Sequence, residues 1–388
     1  MTSEVRIGEL VLDRETWDPT DSSEDRFEYI DLSSVDKDLK RITEVESVLC
    51  AEAPSRARQL VEAGDVLVAT VRPNLNGVAR VTEAYHGATA STGFTVLRTN
   101  RLRLDPGYLY HWVRTPMFVD RMIAVATGAS YPAVSDTKVK DSTIPLPPLS
   151  EQKRIAAILD AADTLRAKRR ESLEHLDALV QSVFLDMFGD PVTNPKGWNE
   201  MTLGEALSHL TSGSRGWARY YSASGDIFLR IQNLVNGALA LEDVAYVEPP
   251  ENAEARRTRV EPGDVLLSIT ADLGRTAVVP ESIGKAHINQ HLVILRTDRL
   301  NSVYLSHYLS SPGGRVQFEK LNRKGVKAGL NFTDIRGLRV LDPPQHLQRR
   351  FEETVQCLAH QRERCTTHLT ELDTLFASLQ SRAFRGEL

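Results

Sequence analysis

Few residue groups in this sequence have the types and spacing from which catalysis could be built, and each has a plainer explanation. Asp342-Pro-Pro-Gln345 carries the Asp-Pro-Pro core of a loop that holds an extruded base for amino-group methylation, but lacks the aromatic ring on which that base would stack. Glu151-Gln-Lys153 has the Glu-x-Lys spacing of metal-dependent nuclease centres, although a glutamate in a first helical turn is favoured by the helix dipole alone. Cys357-x-x-His360 and Cys365-x-x-His368 supply zinc-type donors, yet a rigid helix cannot bend all four round one ion. Neither a G-x-x-x-x-G-K-[ST] loop nor G-x-G-x-x-G is present. The expectation is a chain with no catalytic residue, no metal ligand and no cofactor of its own, whose chemistry is recognition.

Residues suited to recognising DNA are easier to find. Thr211-Ser-Gly-Ser-Arg-Gly-Trp-Ala-Arg-Tyr-Tyr221 gathers Ser214, Arg215, Trp217, Arg219 and Tyr220 in one turn-rich segment. Arginine can fork onto a guanine edge or clamp a phosphate, and aromatic rings can pack against sugars and bases. Gln232 and Asn233 add amides of the kind that match adenine edges, Arg275, Lys324 and Lys327 add cations, and Asn331 follows. The first half offers Arg72, Asn74 and Asn76 in Arg-Pro-Asn-Leu-Asn, then Ser130, Tyr131 and Lys138. A polar loop by itself is ordinarily a solvated loop. The DNA reading rests on such loops recurring in corresponding regions of two copies.

The copies are explicit in the sequence. Glu62-Ala-Gly-Asp-Val-Leu67 returns as Glu261-Pro-Gly-Asp-Val-Leu266, Val96-Leu-Arg-Thr-Asn100 as Ile294-Leu-Arg-Thr-Asp298, and Leu146-Pro-Pro-Leu149 as Asp342-Pro-Pro-Gln345. Their offsets of 199, 198 and 196 drift slowly, as expected if one unit was duplicated and its loops then changed length. Within each copy, β-rich runs such as Val66–Val71, Phe94–Leu97, Val265–Ile269 and Leu292–Leu295 alternate with Gly, Asn and Pro turns, and helices are predicted over Pro106–Val119 and Ser302–Leu309. Each globular part therefore reads as α+β.

Two long helices follow them. Ile155, Leu159, Leu173, Leu176, Val180 and Val183 fall on alternating steps of one helical seam, interrupted at Arg166 and Arg169. Phe351, Val355, Leu358, Leu369, Leu372, Phe376 and Leu379 repeat that register in the second copy. Pro147-Pro148 gives a stiff entry with Ser150 as the cap, and Gly189 followed by Pro191 gives a stop. Roughly 38 residues at 1.5 Å each make a rod of about 57 Å, longer than a small domain is wide, so a second helix must cover its apolar seam.

Bulk properties set limits. A chain of 388 residues with 41% hydrophobic and 26% charged content suits roughly two to four domains. The start, Met1-Thr-Ser-Glu-Val, shows no secretory pattern, no stretch reaches membrane-spanning length, and Cys50, Cys357 and Cys365 form no C-x-x-C pair. A reducing cytoplasm is the expected setting. The net charge of -5 conceals a difference between copies: residues 1–144 carry 17 Lys and Arg against 22 Asp and Glu, whereas residues 201–340 carry 17 against 14. Phosphates respond to the local patch within a Debye length of about 8 Å, so the acidic mean does not exclude DNA.

Pro145-Leu-Pro-Pro-Leu-Ser-Glu-Gln-Lys-Arg-Ile-Ala-Ala-Ile-Leu-Asp160, running on to Met187-Phe-Gly-Asp190, resembles the central conserved region of the specificity subunits of type I restriction-modification enzymes. Tyr29-Ile-Asp-Leu-Ser-Ser34 and the Gly-Asp-Val-Leu turns also look like that family, while Asp342-Pro-Pro-Gln-His-Leu-Gln-Arg-Arg-Phe351 departs from the helix-entry signature. The resemblance implies two repeated target recognition domains separated by two long antiparallel coiled-coil helices in a pseudo-two-fold arrangement. They would span 1–146 and 192–342, with helical spacers at 147–191 and 343–388. It further implies a bipartite, gapped double-stranded DNA site and two modification subunits that bring S-adenosylmethionine and adenine-N6 methylation. Restriction subunits would bring ATP- and Mg-dependent translocation and cleavage of foreign DNA. Two other classes stay open: a self-contained methyltransferase or nuclease, which would modify DNA alone, and a non-DNA coiled-coil scaffold, which would not bind duplexes.

Overall fold

The computed structural model describes residues 3–22, 25–128, 130–235, 237–321 and 329–388. Two compact units divide the chain, Met1–Glu171 with Thr367–Leu388, and Ser172–Thr366. The backbone passes from one to the other twice, each time inside a long helix, Leu149–Phe188 or Gln345–Arg385.

In the first unit the apolar run Val66–Ala69 becomes an inner strand of a four-stranded antiparallel sheet, ordered Val11–Leu12, Phe94–Thr99, Val66–Ala69, Val78–Arg80. A second sheet is ordered Glu46–Leu49, Arg26–Ile30, Thr89–Ser91, Ala57–Leu60, with its two middle strands parallel. A third pairing, Glu4–Arg6 with Thr143–Pro145, ties the N-terminal strand to the entry of the first long helix. The second unit repeats this plan. Its first sheet runs His209–Ser212, Leu292–Arg296, Val265–Ser268, Thr276–Val278, and its second contains the parallel pair Asp226–Leu229 and Ala286–Ile288. Asn199–Thr202 pairs with Arg339–Asp342 ahead of the second long helix. Each unit is α+β.

Both faces of Val66–Ala69 and Val265–Ser268 are largely covered, which is why these strands read as continuous β-branched and leucine runs rather than alternating ones. Over Pro106–Val119 the chain forms two helices instead of the one predicted, Pro106–Trp112 and Pro116–Val125. Thr115 breaks the run: its hydroxyl accepts from Phe118 N at 3.2 Å, and Pro116 takes the first helical position. Ser150 is likewise not the cap of the first long helix. That helix begins at Leu149, and the Pro148 carbonyl accepts from Glu151 N and Gln152 N.

In the first unit the start of the first long helix packs with the end of the second, around buried Ile155, Leu159, Phe376 and Phe384. Leu369, Leu372 and Leu379 are half-buried there, and Arg166 fills the gap in the seam by lying 4.4 Å over the Phe376 ring. In the second unit the pairing is reversed end for end. Phe351, Val355 and Leu358 accompany Leu173, Leu176, Val180 and Val183, all buried or half-buried, and Arg362 bonds Asp177 at 3.0 Å. The helices therefore run antiparallel within each unit. Gly189 (φ +80°) and Gly386 (φ +75°) lie just beyond the two helix ends in the left-handed conformation that stops a helix.

A buried glutamine anchors each helix entry. Gln152 accepts from Asp105 N at 2.9 Å and donates to Arg103 O and Pro147 O. Gln348 accepts from Asn301 N at 2.8 Å and donates to Pro343 O. The Glu151-Gln-Lys153 spacing thus has a structural use for its central residue.

His307, on the helix Ser302–Ser310, packs its ring 5.4 Å from Phe351, and burial pushes its pKa down to about 4. An unfolded histidine titrates near 6.5. Between those values the unfolded chain binds the extra proton, so this contribution to stability is full above pH 6.5 and is lost as pH falls towards 4. Acidification over that window is expected to cost the second unit roughly 3 kcal/mol. Denaturation midpoints measured from pH 7 to pH 4 should fall less steeply in His307→Gln; parallel curves would contradict this.

Candidate nucleic-acid interface

The motifs that repeat most clearly build the frame. Asp65 accepts from Glu62 N at 2.8 Å and pairs with Arg98 at 3.0 Å, while Glu62 holds the other side of the guanidinium at 2.8 Å. Asp264 accepts from Glu261 N at 2.7 Å and pairs with Arg296 at 2.7 Å, with Glu261 again alongside at 2.9 Å. Hydrogen bonding to the partner aspartate raises the pKa of both arginines. The Gly-Asp-Val-Leu turn and the Leu-Arg-Thr strand are two halves of one ionic clamp, present once per unit.

Two sequence candidates for DNA contact belong to the frame as well. Trp217 is 4% exposed, its ring 5.1 Å from Phe228 and 5.2 Å from His287. Trp17 occupies the same place in the first unit, 5.9 Å from Phe27 with its indole N–H donating to Thr89 Oγ1. Asn233 is 2% exposed; its Oδ1 accepts from Arg230 N, and its amide donates to Ala240 O and Asp243 O. Ser34 makes the matching turn in the first unit, accepting from Asp31 N at 3.0 Å. Ring packing buries Trp217, and burial with satisfied hydrogen bonds occupies Asn233, so neither presents its side chain to a base.

Other candidates are committed to local structure. Asn76 donates to Arg114 O and accepts, through its own carbonyl, from Lys40 Nζ at 2.5 Å. Burial and the nearby Arg114 charge push the Lys40 pKa down to about 8. Asn331 caps the helix Phe332–Arg336 by accepting from Asp334 N, Arg275 pairs with Asp272, and Gln232 donates to Asp243 at 3.1 Å. Lys324 and Lys327 lie outside the described residues.

The other candidates lie on exposed loops, turns and short helices of each unit. In the first, Arg72 and Asn74 stand on the turn after Val66–Ala69, and Arg72 lies 4.9 Å over the ring of Tyr131, which is 69% exposed. Ser130 and Lys138 are exposed in the same stretch of chain as Tyr131. In the second, Ser214 bridges to Asn289, and beyond it Arg215 and Arg219 are exposed, Arg219 lying 4.8 Å over Tyr220. Beside that loop the helix Ala253–Thr258 adds Arg256 and Arg257, followed by Arg259. Arg257 donates to Thr211 Oγ1 and Ser212 O, both at 2.6 Å, which fixes the loop base. These arginines escaped the sequence reading, although Ala-Arg-Arg-Thr-Arg259 is the densest basic run in the second copy's described residues. A cavity of about 760 Å³ beside Tyr29 is lined by Asp31, Glu44, Glu46 and Arg56; three carboxylates to one guanidinium repel a phosphate backbone.

Among the described residues no group of three or more His, Cys, Asp or Glu side chains could hold a metal, and no helix is long and apolar enough to cross a membrane.

Comparison with known proteins agrees with the twice-built frame. The family model described as the type I restriction modification DNA specificity domain matches residues 54–175. The MjaIX specificity subunit of Methanocaldococcus jannaschii is 24% identical over 65% of this chain and 62% of its own length. The EcoBI specificity subunit of Escherichia coli is 21% identical over 72% and 65%. The chain thus aligns with just under two thirds of each. A solved chain from work on complex assembly and conformational transition of the type I R-M system is 29% identical, with 100% of this chain and 98% of that one covered at a TM-score of 0.63. The S subunit of the type I restriction-modification system of M. genitalium shares the fold at 14% identity, over 99% and 96% of the two chains, with a TM-score of 0.59. With the clamp, the parallel strand pair and the helix-entry glutamine each built twice, and with relatives matched across both copies, this chain belongs to the family of type I restriction-modification specificity subunits.

Proposed function

We propose that this chain is the DNA-reading, non-catalytic subunit of a type I restriction-modification enzyme, each globular part reading one half of a bipartite duplex site. One observation carries the reading: the same ionic clamp and the same strand order in the sheet that bears it frame both units, while the exposed loop residues differ, Arg72, Asn74 and Tyr131 in one and Arg215, Arg219 and Arg256 in the other. A constant frame with variable loops suits two different half-sites. Recognition domains at 1–146 and 192–342 with helical spacers at 147–191 and 343–388 fit this division of labour, the helices fixing the length of DNA that is not read.

Modification subunits docked on the helices and flanking surfaces would supply S-adenosylmethionine and the adenine methyl transfer. Restriction subunits would supply the ATP- and Mg-dependent steps, in the cytoplasm. The chain itself contributes position. Its phosphate contacts would come from exposed arginines and lysines, so affinity must fall steeply with salt.

Titrating the purified chain into duplex DNA, with and without its modification subunit, tests this. Weak, salt-dependent binding by the chain alone, a large gain in affinity with the modification subunit, and methylation only by the complex are expected. DNA modified by the chain alone, or no salt-dependent binding to duplexes in either form, would contradict it.

A further inference from the structure

The turn carrying Arg72 is held in an unusual way. Arg72 has φ +51°, a left-handed conformation that residues other than Gly, Asn and Asp rarely adopt, and Ala271 has φ +58° at the matching place in the second unit. The neighbouring chain fixes both turns. Val71 pairs with Ala133, and Arg72 N donates to Pro132 O at 2.7 Å; in the second unit Thr270 pairs with Gly329. The frame therefore spends the same backbone distortion twice and places arginine on one copy and alanine on the other.

The side chain is prepared as well. The guanidinium of Arg72 lies over the Tyr131 ring, and among the described residues no carboxylate pairs with it, whereas Arg14, Arg58, Arg98 and Arg114 are all in ion pairs. An aromatic ring against one face of a guanidinium limits its rotamers and leaves its N–H edge free. Such an edge matches O6 and N7 of guanine in the major groove, the commonest specific contact of arginine with DNA.

We propose that Arg72, positioned by Tyr131, reads a single guanine in the half-site of the first unit. Ala271 presents no such group, so the other half-site lacks this contact. The inference rests on the DNA-reading function proposed above.

Methylome sequencing of cells expressing the full chain with its modification subunit tests it, using Arg72→Ala, Arg72→Lys, Tyr131→Ala and Tyr131→Phe. Wild type should yield a bipartite motif with a fixed G·C pair in one half. Arg72→Ala should make that one position degenerate, discrimination falling about tenfold or more, with the other half-site unchanged. Arg72→Lys, which keeps the charge but loses the fork, should behave the same way. Tyr131→Ala should relax the same position more mildly, and Tyr131→Phe should match wild type. An unchanged motif in Arg72→Ala overturns the proposal. So does weaker methylation at all sites with the motif intact, which marks a phosphate contact. If the wild-type complex methylates no bipartite site, the functional reading fails first and this inference falls with it.

Discussion

Replacing Asp264 by alanine should destabilise the second unit by about 3 kcal/mol or more, among the largest effects open to a single polar substitution in this chain. The side chain is 1% exposed and accepts both from Arg296 and from the Glu261 backbone N–H. Its removal leaves the Glu261 N–H without its acceptor and half-strips a guanidinium that only Glu261 would then hold. Asp264→Asn keeps the shape but not the charge and should fall between alanine and wild type. Asp264→Ala combined with Arg296→Leu should recover part of the loss, because the unpaired cation goes too. Chemical denaturation of the full chain measures all three. A loss below about 1 kcal/mol in Asp264→Ala would show the clamp to be ordinary surface pairing. Asp65 offers the equivalent experiment in the first unit, against Arg98.

That clamp explains why so much of the frame was legible. Gly-Asp-Val-Leu and Leu-Arg-Thr survive in both copies because a buried carboxylate, a backbone N–H and a guanidinium must meet within hydrogen-bond reach, which tolerates few substitutions. The long helices were legible because their seam is a local period, and the end of the first because Gly189 carries the stop in its own backbone. The break at Thr115 was also written locally, in the cap and the proline that follows it, though it sits inside a continuous apolar pattern.

The candidate recognition residues were less legible because an aromatic or amide side chain has no fixed role until its distant neighbours are known. Trp217 looks like a stacking residue in its own loop, yet Phe228 and His287 claim its ring. Comparing the two copies would have helped, since Trp17 and Trp217 lie 200 positions apart, close to the offset of the other repeats. A tryptophan kept in both copies serves what the copies share. By the same reasoning Arg72, matched by Ala271, is free to serve what differs.

The second large effect concerns the spacing of the half-sites. Both crossings between the units fall inside the long helices, at Glu171/Ser172 and Thr366/Thr367. Near those points seam residues are only half-buried, and the pairing includes Arg170 with Asp373 at 3.2 Å in one unit and Arg362 with Asp177 at 3.0 Å in the other. One heptad inserted within Leu165–Ser172, with another within Gln361–His368, keeps the apolar seams in register and adds about 10 Å of helix. At 3.4 Å per base pair this is roughly three base pairs. A heptad in one helix alone would leave seven residues without partners and should lower the stability of the pairing instead.

Methylome sequencing of the double-heptad variant, expressed with its modification subunit, reads the half-sites and the gap between them together. Both half-sites are expected unchanged and the unread gap longer by about three base pairs; an unchanged gap, or an altered half-site, would show that the helices do not set the spacing.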